Sequence, residues 1–511
     1  MTIIVAFHRP GIYPVIFIMV DLIKSDMRTG NRKFMKTVFV IIEHGLSLAY
    51  FLYTDLYKLM LNGKVRLVML VQDELLPKLR QEYEGVHNLL FESLREDEAT
   101  RYHRGYHFRM QEIIEYIRGS STDRHIPLTY VDTNRKRKIH EARGRWKFAL
   151  YAAQPAIYIL RTSRLARKAF LWLQKKSFTP NIYGDLLDKY KPDLVISDAA
   201  GWRLDRYILR EVNRRGIRTA TAIVGWDNPS SNGLIGASVD YVNVWSKVHA
   251  WEMNVGLDWP MDKIHVGGMP LYDNYLGRKW AVSRKEYFKV HDLDPNKKLV
   301  AFVATAMNIT PNLHLVELMA EIISSGKLSQ PSQLLVRLHP NHFRPIPHYE
   351  QERKAIYEMA NRYPDVHIVA PQALAGDLPR YSGEDFQEKG SMLAHADVVV
   401  TIYSTMVVEA AIHEKPVISA CINTPNGWKD HYWIPLSDVP TWPTAARVDE
   451  LGASRVAFTA EQMVNALNLY LENPKLDTEN RQRFIKQELT FLKAGEATHE
   501  TAEFFLSLLE E

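Results

Sequence analysis

Cysteine is nearly absent: a single residue, Cys421, in 511 excludes an internal disulfide framework. Its run Val417-Ile418-Ser419-Ala420-Cys421-Ile422 reads instead as a buried strand in which the thiol is a small apolar group, and a reducing cytoplasm is expected. Long hydrophobic runs are missing too. Residues 11–23 are apolar, but Pro14 and Asp21 interrupt a stretch that is already too short to cross a bilayer. Several signatures are absent as well: the Walker A loop, G-x-G-x-x-G, G-x-S-x-G, H-E-x-x-H and C-x-x-C. Their loss removes P-loop NTPases, simple dinucleotide dehydrogenases, α/β-hydrolases and simple zinc enzymes. No metal ligand set is expected.

Net charge is small, +5, but it is unevenly placed. Residues 134–176 hold thirteen Lys or Arg against one acid, Glu141, which makes that segment +12 and the remainder −7. Such local concentration argues against nucleic acid and for one anionic partner, either a membrane surface or a lipid-linked acceptor. Within the segment Trp146, Phe148, Tyr151, Tyr158, Phe170 and Trp172 alternate with the cations, a pattern suited to an anionic interface as well as to a core-facing stripe with a solvated side. The expected location is the cytoplasm, at the inner face of the membrane.

Met35-Lys36-Thr37 precedes Val38-Phe39-Val40-Ile41-Ile42, a β-branched run of the kind that opens a parallel sheet. Met35 is therefore expected to be the start of the chain proper, with residues 1–34 a non-native or poorly packed leader. Asn308-Ile309-Thr310 reads as a chance sequon. From residue 36 short apolar strands alternate with longer amphipathic stretches, the signature of βαβ units. Strands are predicted at 37–42, 65–71, 193–197, 218–224 and 241–245, then at 299–304, 333–338, 366–370, 397–402 and 416–420. The stretch 74–190 reads as mostly helical, broken at Pro155. The predicted class is α/β, with two doubly wound Rossmann-like parallel sheets. Residues 35–258 form an N-terminal domain with a basic helical insertion at 134–176, residues 259–480 a second domain, and residues 481–511 terminal helices. In such folds ligands lie beyond the carboxyl ends of the strands, so the strand-to-helix loops carry the chemistry.

Four of those loops stand out. Asp397 to Ile402 runs through Tyr403-Ser404-Thr405 to Glu409-Ala410-Ala411 and Lys415-Pro416: a strand, a hydroxyl-rich turn and a helix whose N-terminus can face a diphosphate. Glu409 stands about one turn in, where its two oxygens can take a ribose diol. Arg337-Leu338-His339-Pro340-Asn341 closes another strand with a guanidinium and an imidazole, both suited to phosphate. Gly225-Trp226-Asp227-Asn228 combines a ring able to stack with a carboxylate, and Glu43-His44-Gly45 ends the first strand. Glu43, His44 and Asp227 are the candidate bases.

In order along the chain, these segments resemble the GT-B glycosyltransferases, in particular the bacterial surface-polysaccharide and CDP-glycerol glycerophosphotransferase-like branch. The matching residues are Trp226-Asp227-Asn228, Val266-Gly267-Gly268-Met269-Pro270-Leu271-Tyr272-Asp273, Arg337 to Pro340, Asp397, Ser404-Thr405, Glu409 to Ala411 and Lys415-Pro416. The resemblance implies two facing domains, with a nucleotide-diphosphate sugar as co-substrate and no tightly bound cofactor. By the same resemblance Thr305, Arg337, His339, Ser404, Thr405 and Glu409 would hold the donor, and Trp226 and Asn228 would line the acceptor side. Ile402-Tyr403 departs from the glycerophosphotransferases, which commonly place an Asp there, and this favours a sugar over a polyol-phosphate donor. A CDP-glycerol glycerophosphotransferase-like polyol-phosphate transferase remains an alternative, as do UDP-N-acetylglucosamine 2-epimerase-like enzymes, which share the architecture. A non-catalytic nucleotide- or membrane-binding module is another.

Overall fold

Strands β1 (Lys36–Ile41), β2 (Val65–Val71), β3 (Leu89–Ser93), β4 (Leu194–Ser197), β5 (Arg218–Ala222), β6 (Tyr241–Val244) and β7 (Ile264–Val266) pair in parallel in the order β3-β2-β1-β4-β5-β6-β7. A second parallel sheet takes β8 (Lys298–Val303), β9 (Ser332–Arg337), β10 (Val366–Val369), β11 (Val398–Thr401), β12 (Val417–Ala420) and β13 (Arg455–Ala457) in the order β10-β9-β8-β11-β12-β13. These assignments come from a computed structural model that describes residues 35–305, 310–373, 382–424 and 434–510. The proposed leader, residues 1–34, and Asn308 of the sequon lie outside the described residues. Residues 36–511 form one compact unit.

Both sheets are covered on each face, which is why their strands read as continuous apolar runs rather than as alternations. In β1 every residue after Lys36 is buried, and β9 is buried throughout. Strand order reverses between β1 and β4 in the first sheet and between β8 and β11 in the second. The crevice beside each reversal is where a doubly wound sheet leaves room for a ligand.

Three strands escaped the sequence reading. β3 lies inside the stretch expected to be helical; it is a sheet edge, and its three consecutive apolar residues, Leu89, Leu90 and Phe91, give only a brief apolar signal. β7 is half-buried and lies in the expected connector, so the first sheet runs past residue 258 to Val266. β13 is the opposite edge of the second sheet and only three residues long. Pro155 does interrupt the helical stretch, by opening a new helix, Gln154–Thr162, at a position where its missing N–H costs nothing.

The last two helices, Thr478–Glu488 and Glu496–Ser507, return to the first sheet. Asn243 donates to Thr501 Oγ1 at 3.1 Å, and Thr498 N–H donates to Asp273 at 2.8 Å. Glu488 is fully buried and takes the Trp226 indole N–H at 2.6 Å. Arg447, on the second-domain helix Pro443–Glu450, reaches both Glu488 and Glu252 of the first domain at 2.8 Å. One guanidinium therefore ties the terminal helices and both domains together. Replacing it leaves two buried carboxylates without their cation, so Arg447→Ala should lower the free energy of unfolding by about 3–5 kcal/mol. A urea midpoint unchanged from that of the natural protein would refute this.

Candidate functional site

A cleft of about 500 Å³ opens between the carboxyl ends of the two sheets. Its second-domain wall is built from loops that follow β8, β9 and β11. Thr305 follows β8, and its N–H donates to Asn312 Oδ1 at 2.8 Å. Ser404 follows β11 and caps the helix Thr405–Ile412, with Oγ accepting from the Met406 N–H at 3.2 Å. Met406, Glu409, Ser404 and Thr405 all line the cleft, so the positive end of that helix borders it. Arg337 ends β9, with Leu338 and His339 next on the wall.

Each charge on this wall arrives already partnered. Arg337 is buried against Asp385 at 2.7 Å, and Asp385 also takes the Gln372 N–H at 2.9 Å. Lys389 pairs with Glu409 at 2.9 Å, and Tyr275 donates its hydroxyl to the same carboxylate at 3.1 Å. Burial, with His342 and Arg337 nearby, lowers the His339 imidazole to about 3, so it is neutral at physiological pH. Its Nδ1 accepts from the Asn341 N–H at 3.1 Å, which leaves the ring proton on Nε2 as a donor. His339 thus offers a neutral hydrogen bond rather than a positive charge.

The first-domain wall carries Arg203, Trp226, Asp227, Ser230 and Ser231. Asp227 heads the short helix Asn228–Ser231, and burial raises its carboxyl above the usual range against the opposing effects of Ser231 and Arg203. Trp226 reaches the wall, but its ring is 1% exposed, sits edge-on to Phe484 and is held by Glu488. A freely stacking ring is thereby replaced by a fixed one. Asn228 is not on the wall; its amide lies over Gly225, where a Cβ would come within 2.4 Å of Asn228 Oδ1. A larger residue at 225 would have to push that amide aside.

Glu43 and His44 lie behind the wall, at the switch between β1 and β4. His44 caps the helix Gly45–Leu52 by accepting from the Ser47 N–H at 3.3 Å, and burial with Arg203 nearby lowers it to about 3. Glu43 takes the Asp205 N–H at 2.7 Å and gives its own N–H to Asp198 at 2.9 Å. Burial first, then the neighbouring Asp205 and Asp198, holds Glu43 well above the ordinary carboxylate range. Burial and Asp205 raise Asp198 to about 7. Of the three candidate bases, the fold brings Asp227 alone to the cleft wall.

Sequence reasoning missed Arg203, Asp385, Lys389, Tyr130 and Trp442, all on the wall. Asp385 and Lys389 are four apart on the helix Gly383–His395, a spacing that puts both on one face and was visible in the sequence. Tyr130 and Trp442 meet edge-on at 4.6 Å from opposite domains, which no local pattern could reveal. Among the described residues no group of three or more His, Cys, Asp or Glu side chains is arranged for a metal ion. Among them, too, no helix is long and apolar enough to cross a membrane.

No protein-family model matches the chain, and no curated protein matches it by sequence. Solved structures do match. A UDP-GlcNAc 2-epimerase from Neisseria meningitidis bound to UDP-GlcNAc is 12% identical with a TM-score of 0.51, the match covering 93% of this chain and 100% of that one. S. aureus MnaA with UDP is 12% identical with a TM-score of 0.52, covering 93% and 98%. A glycosyltransferase from Rickettsia africae is 9% identical with a TM-score of 0.50, covering 93% and 99%. The fold is GT-B. In this GT-B chain the cleft lies at the switch points of both sheets.

The buried acids beside the cleft give a pH prediction. Asp198 titrates near 7 when folded and near the ordinary Asp value when unfolded, so the stability tied to its protonated form is full at low pH and is lost as pH rises toward and through 7. Asp198→Asn keeps an oxygen for the Glu43 N–H and removes that titration. Its unfolding free energy should fall less between pH 5 and pH 8 than that of the natural protein; parallel curves would refute the assignment.

Proposed function

We propose that the protein is a glycosyltransferase that takes a nucleoside-diphosphate sugar as donor and acts in surface-polysaccharide or glycolipid assembly. The observation that carries this reading is the second-domain wall: a Ser404-capped helix end, the Thr305 and Thr405 hydroxyls and the neutral His339 donor all border one cleft. Fixed dipoles of this kind stabilise the charge that grows on a departing diphosphate. Arg337 and Lys389 add cations whose positions are set by Asp385 and Glu409. Glu409 is the residue for the ribose hydroxyls, and Tyr275 and Lys389 orient its carboxylate.

Transfer requires an acceptor hydroxyl to attack the anomeric carbon as the bond from that carbon to the diphosphate oxygen breaks. The hydroxyl proton passes to a base on the opposite wall. Asp227 takes that role: it lines the cleft, and its raised carboxyl is a better proton acceptor than an ordinary aspartate once ionised. His44 is a poor base because burial keeps it neutral to about pH 3 and its Nδ1 is committed to Ser47.

The epimerase reading keeps the same donor site. It is favoured by the structural likeness to two proteins whose structures hold UDP-GlcNAc or UDP. Acceptor dependence separates the readings: a nucleotide sugar converted to its epimer without acceptor supports the epimerase.

Nucleoside diphosphates and nucleotide sugars should raise the melting temperature, because they bind the folded state alone. Ser404→Ala should weaken donor binding by about tenfold and cost about 1 kcal/mol of stability through the lost cap. Asp227→Asn should lower kcat by about 10²–10⁴ with donor affinity retained. Calorimetry showing no nucleotide binding by the natural protein would overturn the reading, and an undiminished kcat in Asp227→Asn would remove Asp227 as the base.

A further inference from the structure

Residues 142–176 contain no Asp or Glu. They fold into three consecutively packed helices, Arg145–Ala152, Gln154–Thr162 and Arg164–Ser177. The cations of residues 142–176 divide into two groups. Arg161, Arg164, Arg167 and Lys175 are consumed internally: Arg167, for example, is buried between Asp123 at 2.8 Å and Asp258 at 2.6 Å, Arg164 reaches Asp258 at 3.5 Å, and Arg161 binds Asp132 at 2.8 Å. Arg143, Arg145, Lys147, Lys168 and Lys176 are exposed and make no side-chain hydrogen bond or ion pair with the described residues. These five are the charge that residues 142–176 present to a partner.

Between those cations stand large apolar side chains in water. Phe148 is 76% exposed, Tyr158 68%, Leu165 80% and Trp172 57%. Tyr151, Ile159 and Leu173 are also exposed, so seven of the eighteen large apolar side chains exposed among the described residues fall between positions 148 and 173. A merely solvated helix face would carry polar side chains there. On the helix Arg164–Ser177 the register is clear: Leu165, Lys168, Trp172 and Lys176 recur at three- and four-residue steps on the outside, while Arg167 and Gln174 are buried opposite. Exposed aromatic and aliphatic groups flanked by unpaired cations match the boundary between acyl chains and anionic headgroups.

We propose that this helical insertion docks the protein on an anionic phospholipid surface, with Phe148, Tyr158, Leu165 and Trp172 entering the interface and the five unpaired cations meeting the headgroups. The fold connects that surface to the cleft. The preceding helix, Thr129–Glu141, begins at the cleft with Tyr130 and ends where the docking helices begin. Its thirteen residues span about 20 Å. A membrane-held acceptor would therefore be offered within reach of the cleft mouth. Docking itself does not depend on the transferase reading, because none of residues 142–176 lines the cleft.

Flotation of the full chain with phosphatidylcholine vesicles, with and without about a third phosphatidylglycerol, tests the proposal. The protein should float with the anionic vesicles and not with the zwitterionic ones. A triple variant, Lys147→Gln with Lys168→Gln and Lys176→Gln, should reduce that partitioning more than tenfold, as should Leu165→Ser with Trp172→Ser. Both variants alter exposed side chains, so their melting temperatures should match that of the natural protein. Equal partitioning onto both vesicle types, no partitioning at all, or unchanged partitioning of either variant would overturn the proposal. So would a concentration-dependent dimer in sedimentation velocity that the Leu165→Ser, Trp172→Ser variant abolishes, since the face would then belong to a second copy.

Discussion

Arg447 between Glu252 and Glu488 is the interaction on which the cleft depends. Two buried carboxylates and a largely covered guanidinium from distant parts of the chain share one site, and Trp226 adds its indole N–H to Glu488. Two acids around one cation leave Glu252 pushed up to about 7, mainly by burial. Such a cluster is stable only with its members in place, because any uncompensated charge would remain out of water. It fixes Trp226, and through it the neighbouring Asp227, against the second domain. The geometry of the first-domain wall thus rests on a contact made by the last helices of the chain.

The same economy governs the cleft. Arg337 and Lys389 carry the charge suited to a diphosphate, yet each meets an acid before any ligand arrives. That pairing holds two flexible side chains in defined positions and lowers the cost of keeping them buried while the site is empty. The remaining donors are dipoles: a capped helix end, hydroxyls and a neutral imidazole. A ligand carrying its own negative charge would then meet a rigid, nearly balanced surface, the arrangement that favours charge developing during a reaction over charge already present.

Legibility from sequence followed how local each signal is. Central strands such as β1, β8 and β11 announce themselves because they are buried on both faces, whereas the edge strands β3 and β13 and the half-buried β7 do not. Loops that end central strands carried recognisable chemistry, and Thr305, Arg337, His339, Ser404, Thr405, Glu409 and Asp227 do converge on one cleft. Glu43 and His44 share the same local signal but turn away, because His44 caps its helix and Glu43 joins a buried set of acids. Strand-end position alone cannot distinguish a side chain that faces the crevice from one that closes the turn behind it.

Composition and order along the chain determined the α/β class, the two parallel sheets and the concentration of positive charge in one insertion. All of these follow from short-range hydrophobic pattern and from counting. Tertiary structure decided which cations are spent on internal acids and which remain exposed, as the contrast between buried Arg167 and exposed Lys168 shows. It also decided that Arg447 would join residues from three separated segments, and that Tyr130 and Trp442 would meet across the cleft. These depend on which groups lose water together, and that is set only when distant segments pack.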